Sequence, residues 1–579
     1  MSVQNMAETA VRAAASQRAS RTRVTSLSAR GEPFMWCLGG ALALGILMIV
    51  GFLLLVLWNG VVTFWPKPIA LVTLAGGDKV AGEVVRDELF RPDATTLARL
   101  EPVARARIAR NEGFVSRTLY RTGNYDLYNE DFVWVPDFNV TSVETPDDLV
   151  LVERLEWGVF IGRIAAVSLD GQATDLAKLA PGELARRHDE ARARRARLRA
   201  IEHDQIGDVN RDLEHERLLL RRALLSSGES SPAFAQASAR LVQREAVLKQ
   251  EYDRLAAMAA EIRQRDERDT FTLADINGRE KVLPISAVVR YYRANDVGWP
   301  ARIGIYLSRW AEFLSDEPRE ANTEGGIMPA IFGTVAMTLL LVVVVAPFGV
   351  VTALYLREYA RQGRLVSIVR ISVNNLAGVP SIVYGVFGLG FFAYLVGGTI
   401  DQIFYAERLP NPTFGTGGLL WSSLTLALLT VPVVIVATEE ALAAVPRSMR
   451  EGSLACGASK WQTIRYIVLP RAMPGIMTGI ILAMARGAGE VAPLMLVGVV
   501  KLAPELPLDG TFPFLHLERS FMHLGFHIYD VGFQSRNSEA GKPMVFVTTL
   551  LLILLIATMN ASAIYIRNRL KRKFAGSQF

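Results

Sequence analysis

Cysteine is almost missing from this chain. Of 579 residues only Cys37 and Cys456 are Cys, and neither lies in the long polar stretch 66–325, so no disulfide framework supports that region. Chemistry-bearing motifs are missing as well. No G-x-x-x-x-G-K-[ST] loop occurs, so there is no phosphate cradle of that kind. No nucleophile elbow and no convincing zinc-ligand set stand out. His523 and His527 have helical i,i+4 spacing, but a metal needs a third ligand that the sequence does not name, and Leu524, Phe526 and Ile528 point to an interfacial helix instead. Basic residues sit at the edges of apolar runs or alternate with acids, the pattern of solvated helix faces rather than of nucleic-acid binding. A chain without these parts performs no covalent chemistry itself. If it moves a solute, the energy comes from elsewhere.

What is present is segregated. Hydrophobic residues make up 51% and charged residues 21%, and the two classes occupy different stretches. A helix crosses a bilayer with about 20 mainly apolar residues. Six such runs occur, at roughly 34–58, 327–356, 366–396, 418–443, 474–498 and 544–566. The first, from Phe34 to Leu57, is too long for a signal-peptide core, and no A-x-A-like site follows before Trp65-Pro66; it reads as a retained anchor. Lys and Arg cluster before the first run (Arg12, Arg18, Arg21, Arg23, Arg30), after the second (Arg357, Arg361, Arg364), between the fourth and fifth, and after the sixth. All four clusters fall on one side of a six-span drawing. The positive-inside rule makes that side the cytoplasm, with both termini there and 66–325 on the far side.

The far-side region reads as short β-strands over 66–180, with Asn277-Gly278 as a hairpin turn. A charged helical stretch, about 181–268, interrupts it. Leu198, Ile201, Ile206, Val209, Leu213, Leu220 and Leu224 face Leu241, Leu248, Tyr252, Leu255, Ala259 and Ile262 at three-four spacing, across "SSGESSP". The spacing predicts an antiparallel coiled-coil hairpin rising from a β-rich base, a rigid spacer or else a docking arm; no aromatic anchors favour the arm. The fold class is therefore an all-α polytopic membrane protein with six transmembrane helices plus an extracytoplasmic α+β domain carrying that hairpin.

Polar residues inside the runs are the candidate path. Arg486 and Glu490 share a face near the middle of the fifth run, flanked by Gly487 and Gly489. An arginine at the bilayer centre costs about 2.5–3.5 kcal/mol even on the lenient scale, so it faces protein or water. It either ties helices together or meets an anionic solute. Asn374 and Asn375, with Pro380 and several glycines, indicate a kinked third span facing the interior. Glu439 and Glu440, near the cytoplasmic edge, are expected to pair with arginines.

Between the fourth and fifth runs stands "EGSLACGASKWQTIRYIVLP", polar and broken by glycine. The spacing of Glu451, Gly457, Ile467, Leu469 and Pro470 resembles the EAA loop of ABC-importer permeases, E-A-A-x3-G-x9-I-x-L-P. The surrounding text, with "FGVVTALYLREYA" (348–360) and "NNLAGVPSIVYGVFGLGFF" (374–392), is similar to the phosphate-specific permeases of the PstA type over about 327–566. Gly452 and Ser453 depart from the Ala-Ala of that pattern. The resemblance implies a type I permease fold and an organisation in five parts: a cytoplasmic tail 1–33, a first helix 34–65, an outer domain 66–325, a permease domain 326–566 with the loop 444–471, and a basic tail 567–579. It further implies ATPase coupling through Glu451, Gly457, Ser459, Lys460, Trp461, Leu469 and Pro470, and a path lined by Arg486, Glu490, Asn374 and Asn375. No cofactor is expected in the chain, with ATP-Mg in a partner. The implied partners are a PstC-type permease, a PstB-type ATPase dimer, an external phosphate-binding protein, phosphate and the bilayer. Another oxyanion or a phosphonate is the alternative solute. A membrane-anchored sensor or scaffold using the coiled coil is the alternative of another class.

Overall fold

A computed structural model describes residues 32–99, 102–174, 180, 182–510, 512–535 and 538–575. The N-terminal arginines counted above lie outside these residues. The chain divides at Asn59 into two compact units. The first carries the helix α1 (Glu32–Val62), an uninterrupted apolar helix whose side chains, such as Leu47, Met48 and Leu54, are exposed. That surface suits lipid and not water.

The β region is an internal duplication that the sequence reading did not find. The strands β1 (Ile69–Leu74), β2 (Lys79–Phe90), β3 (Val115–Arg121), β4 (Phe132–Pro136) and β5 (Val140–Glu144) form a sheet ordered β4-β3-β2-β1-β5. The next set is β6 (Val150–Arg154), β7 (Val159–Leu169), β8 (Gln172–Thr174), β9 (Thr270–Ala274), β10 (Glu280–Pro284) and β11 (Val288–Arg293). It is ordered β10-β9-β7-β6-β11, with β8 paired to β7, which is the same path once β8 is set aside. In both modules the fourth strand ends in proline, and a single 3-10 turn, Asp137–Asn139 or Ile285–Ala287, leads to the fifth. Both also place a glycine where the next strand passes closest. A Cβ on Gly82 would sit 2.7 Å from the Arg121 carbonyl oxygen, and one on Gly162 would sit 2.3 Å from that of Ala274.

The helical hairpin is inserted between β8 and β9. One arm is α2 (Glu183–Arg199), a π-helical stretch Ala200–Gln205 and α3 (Ile206–Ser227); the other is α4 (Pro232–Asp266), capped by Ser231. Its base is packed by Leu198, Ile201, Val209, Leu248, Leu255 and Ala259, while Leu224 and Tyr252 are exposed. The arm does not rise free as a spacer. Arg199 pairs with Glu317, Arg211 with Glu505 at 3.8 Å, and Arg222 with the buried carboxylate of Glu407. Eleven residues make about three helical turns, so Arg211 and Arg222 share a face. The interval from Arg199 to Arg211 is one residue longer, and it contains the π-helical stretch, which takes up the extra residue.

A buried ion network joins both β modules to the helix α5 (Trp299–Ser315). Glu153 on β6 contacts Arg309 at 2.5 Å and Arg290 of β11; Glu312 meets Arg290 at 3.0 Å and also Arg319; Arg121 of β3 meets Glu324 at 2.5 Å. Burial alone would raise the Glu153 carboxyl, but the Arg309 and Arg290 guanidiniums hold it below the usual range.

The α-helices that follow α5 are α6 (Met328–Leu354), α7 (Arg364–Leu376), α8 (Ser381–Phe404), α9 (Leu419–Ala443), α10 (Arg447–Ala455), α11 (Lys460–Thr463), α12 (Leu469–Gly489), α13 (Leu494–Val497), α14 (Leu524–Tyr529) and α15 (Ser538–Ala575). Among the described residues, six helices are long and apolar enough to cross a membrane. Two of the expected spans need correction. The third does not run through 366–396: α7 stops at Leu376, and the crossing helix starts at Ser381, past Pro380. Leu365, Ile368 and Ile371 are exposed on α7 and made it read as span. The fifth is not 474–498; it covers Lys460–Gly489 and then stops. Close packing of α12 on α9 comes from small residues four apart. A Cβ on Gly475 or Gly479 would lie 2.5 Å from the Cβ of Ala441 or Ala437. Gly479→Leu should therefore force the helices apart and lower thermal stability in detergent by about 1–3 kcal/mol. Gly489→Ala, with nothing within 4 Å of its Cβ site, should leave the melting temperature unchanged.

Candidate functional site

The loop joining α9 to α12 is built as two short helices around a rigid corner. α10 ends in a Schellman motif: Gly457 N–H donates to Leu454 O at 3.0 Å and Ala458 N–H to Ser453 O at 3.2 Å. Gly457 has φ 83°, a conformation that glycine adopts without a Cβ clash. α11 opens with a capping box. The Ser459 hydroxyl accepts from Gln462 N–H at 3.2 Å, and Ser459 N–H donates to the Gln462 side chain at 2.8 Å. The Ser453 and Thr463 hydroxyls lie 2.9 Å apart and tie the two helices together. Gly452 meets nothing within 4 Å, so its departure from the EAA pattern leaves no clash and only a weaker helix turn. Arg450 anchors the corner to α9, donating to the carbonyls of Leu442 and Val445 at 2.7 Å and pairing with Glu358 at 3.0 Å.

The predicted coupling residues separate into two groups. Glu451, Gly457, Ser459, Lys460 and Trp461 are exposed, and Lys460 lies 4.8 Å over the Tyr359 ring. Leu454, Trp461 and Tyr466 add an apolar patch to this polar surface, with Trp461 52% exposed. Leu469 and Pro470 are half-buried; Leu469 packs with Leu442, Val445 and Val468, and Pro470 starts α12. They hold the corner against the bundle and do not belong to its outer face.

At its other end α12 stops halfway through the bundle. Gly487 packs against Leu341, the midpoint of Met328–Leu354. Glu490 is extended, with ψ 134°, so it does not continue the helix face that the sequence pattern gave it. Its side chain folds back toward Arg486, with Nε to Oε1 at 3.5 Å. The guanidinium thus sits in the last turn, where the helix dipole favours a cation. The chain then passes Pro493, which packs on Gly385 of α8, and makes the single turn α13. Hydropathy could not separate this buried irregular segment from a spanning helix.

Asn374 and Asn375 are not part of this place. They are exposed on the last turn of α7, and Asn374 lines a cleft of about 190 Å³ with Arg370, Glu439 and Glu440 near the other end of α9. Glu439 pairs with Arg370 at 3.2 Å, the ion pair expected of it.

The element that covers the break is one the sequence reading misjudged. α14 is no interfacial helix; Leu524, Gly525 and His527 are buried. Leu524 N–H donates to the Thr334 hydroxyl at 2.9 Å, and Gly525 packs on Val491, next to Glu490. His523 Nδ1 accepts from Gly525 N–H at 3.1 Å, and Nε2 has no well-aligned hydrogen bond among the described residues. Burial pushes the His523 and His527 imidazoles down, each to about 4; the Ala488 carbonyl at His523, and Asp530 against Lys501 at His527, offset this only in part. The sequence signal was the i,i+4 histidine pair, noticed there as a metal question.

The family described as binding-protein-dependent transport system inner membrane component matches residues 345–572. Similar curated proteins include the probable ABC transporter permease protein YqgH of Bacillus subtilis, 35% identical over 34% of this chain and 62% of its own length. The phosphate transport system permease protein PstA 1 of Mycobacterium tuberculosis H37Rv is 36% identical over 42% of this chain and 70% of its own. The probable ABC transporter permease protein YqgI of Bacillus subtilis is 30% identical over 44% and 84%. Such likeness leaves the sensor-or-scaffold reading without support.

Two outcomes follow from this geometry. Gly457→Ala places an L-residue in the left-handed region at about 1–2 kcal/mol, whereas Gly452→Ala should strengthen α10 by about 0.8–1 kcal/mol. Melting of the purified chain should move in opposite directions for the two. The buried histidines set a pH dependence. Unfolded, they take protons near 6.5; folded, only near 4. Stability is therefore complete above about pH 6.5 and declines as pH falls toward 4. A His523→Gln/His527→Gln variant should show a flatter decline, and an equally steep one would remove these residues from the account.

Proposed function

The chain belongs to the binding-protein-dependent transport system inner membrane components, as a PstA-type ABC permease, and from that premise we propose that it is the translocating subunit of an ATP-driven importer of inorganic phosphate. The observation that carries this reading is an arginine held at the middle of the bundle beside an interrupted helix. Irregular backbone at membrane depth lines a cavity or is buried in protein. Arg486 supplies a planar fork of donors that stays charged and matches phosphate oxygens in pairs. Glu490 holds the guanidinium when no anion is there. An arriving phosphate competes with that carboxylate, so the site binds without trapping.

The exposed corner 451–466, with Trp461 as its apolar anchor, is the surface on which an ATPase subunit with its ATP-Mg would seat. In this reading the corner is cytoplasmic, both termini lie on its side, and the β modules and hairpin are extracytoplasmic. A homologous PstC-type permease would complete the path, with a PstB-type ATPase dimer and an external phosphate-binding protein. A second solute reading, another oxyanion or a phosphonate, is kept because YqgH and YqgI carry names that specify no solute.

The test is labelled-phosphate uptake by the assembled complex in proteoliposomes. Arg486→Glu should abolish uptake, and Arg486→Lys, which keeps the charge but loses the fork, should lower it about tenfold. Assembled complexes that carry Arg486→Glu and import normally would remove the path role. Competition by sulfate or phosphonate without competition by phosphate would replace the solute.

A further inference from the structure

The helix α5 turns its charged residues inward and leaves an uncharged, mainly apolar side exposed. Its three charged residues, Arg302, Arg309 and Glu312, are all half-buried on its inner side. Arg302 donates to Val297 O at 3.0 Å, and Arg309 and Glu312 belong to the network around Glu153. The opposite side carries no charge. Trp299 is 70% exposed, Leu307 59%, Ile303 47% and Leu314 44%, with Pro300, Gly304 and Ala311 between them. A helix on a water-facing domain surface keeps its charges outward and its apolar stripe inward. Here the charges turn inward beside Phe313, Tyr306 and Trp310, the outer side is left apolar, and an apolar surrounding accounts for that.

The neighbours of α5 point to one surrounding. Trp65 follows the first apolar helix by a few residues, and its ring lies 5.7 Å from that of Trp299 and 5.6 Å from that of Tyr306. Phe64 meets Trp310 edge to face with ring centres 5.1 Å apart, and the Tyr306 hydroxyl donates to Val61 O at 3.0 Å. Tryptophan and tyrosine concentrate where membrane meets water. The C-terminal end of α5 leads within a short segment to Met328, where the next crossing helix begins. Phe313, at that end, packs with Ile327, Ala330 and Met544, at the starts of two crossing helices.

We propose that the Trp299–Ile303–Leu307–Leu314 face of α5 is a membrane-binding surface, lying in the interface of the bilayer at the Met328 end of the bundle. Its apolar side chains enter the acyl boundary while Arg309 and Glu312 grip the second β module from within. The β modules are then referenced to the membrane plane through Glu153 and do not swing on a tether.

Site-directed spin labelling tests this on the full complex in lipid nanodiscs. Cys37 and Cys456 are replaced by serine, and single labels are placed through Ile303→Cys, Leu307→Cys and, as a water-exposed reference at the hairpin tip, Glu229→Cys. Retained partner subunits show that each labelled complex is assembled. The expected result is an oxygen-to-nickel-chelate accessibility ratio several-fold higher at 303 and 307 than at 229. A ratio at 303 and 307 equal to that at 229 would put the face in water and overturn the proposal. Low accessibility to both reagents would overturn it too, by showing that another protein chain covers the face.

Discussion

Backbone groups that lose their helical partners inside an apolar slab must find others, and the region around Glu490 is organised by that need. α12 ends at Gly489, and the amide of Glu490 still reaches Gly487 O at 3.3 Å. The turn after Pro493 closes on itself, Val499 and Phe521 form a single parallel β-bridge, and Leu524 N–H is met by Thr334. The long segment between α12 and α15 is therefore more than a connection. It folds back into the bundle and supplies the contacts that let a helix stop there, which in turn leaves Arg486 at a terminus rather than on a flank.

The same helix carries the corner at its other end. α11 continues through the π-helical residues Ile464–Val468 into α12 without a flexible joint. The helical path is thus continuous from Trp461 to the Arg486–Glu490 pair, with Pro474 inside it. Small residues bring this path close to α9: the Gly475 and Gly479 face meets alanines and no bulky side chain. Arg450, which ties α10 to the last carbonyls of α9, fixes the other side of the corner. The corner and the Arg486–Glu490 pair are in this way two ends of one element.

Much of this was legible in the chain itself. Apolar length located the crossing helices, because the thickness to be spanned is fixed, and leucine spacing located both hairpin arms. The motif around Gly457 marked the corner, although not the Schellman geometry that explains the glycine. Three features were hidden for physical reasons. α7 has enough exposed apolar residues to merge with the following helix in any hydropathy reading. Residues 490–498 are as apolar as a span, because a buried loop and a crossing helix both exclude water. The duplication of the β module rests on a proline, a short turn and one crowded glycine per copy, and the inserted hairpin stretches the second copy out of register. Asn374 and Asn375 were placed on the path by composition, whereas the fold sets them at the edge, next to Glu439.

The π-helical stretch in the first hairpin arm has a consequence for how this family member can vary. Arg199, Arg211 and Arg222 stay in line because Ala200–Gln205 absorbs one residue. An arm that must present the same side along its length behaves as a screw thread. It keeps that side when lengthened or shortened by a near-integral number of helical turns, about seven or eleven residues at a time, or by a single residue together with a bulge that rewinds it. Relatives carrying such an arm should therefore differ in length by discrete steps, not by a continuous spread.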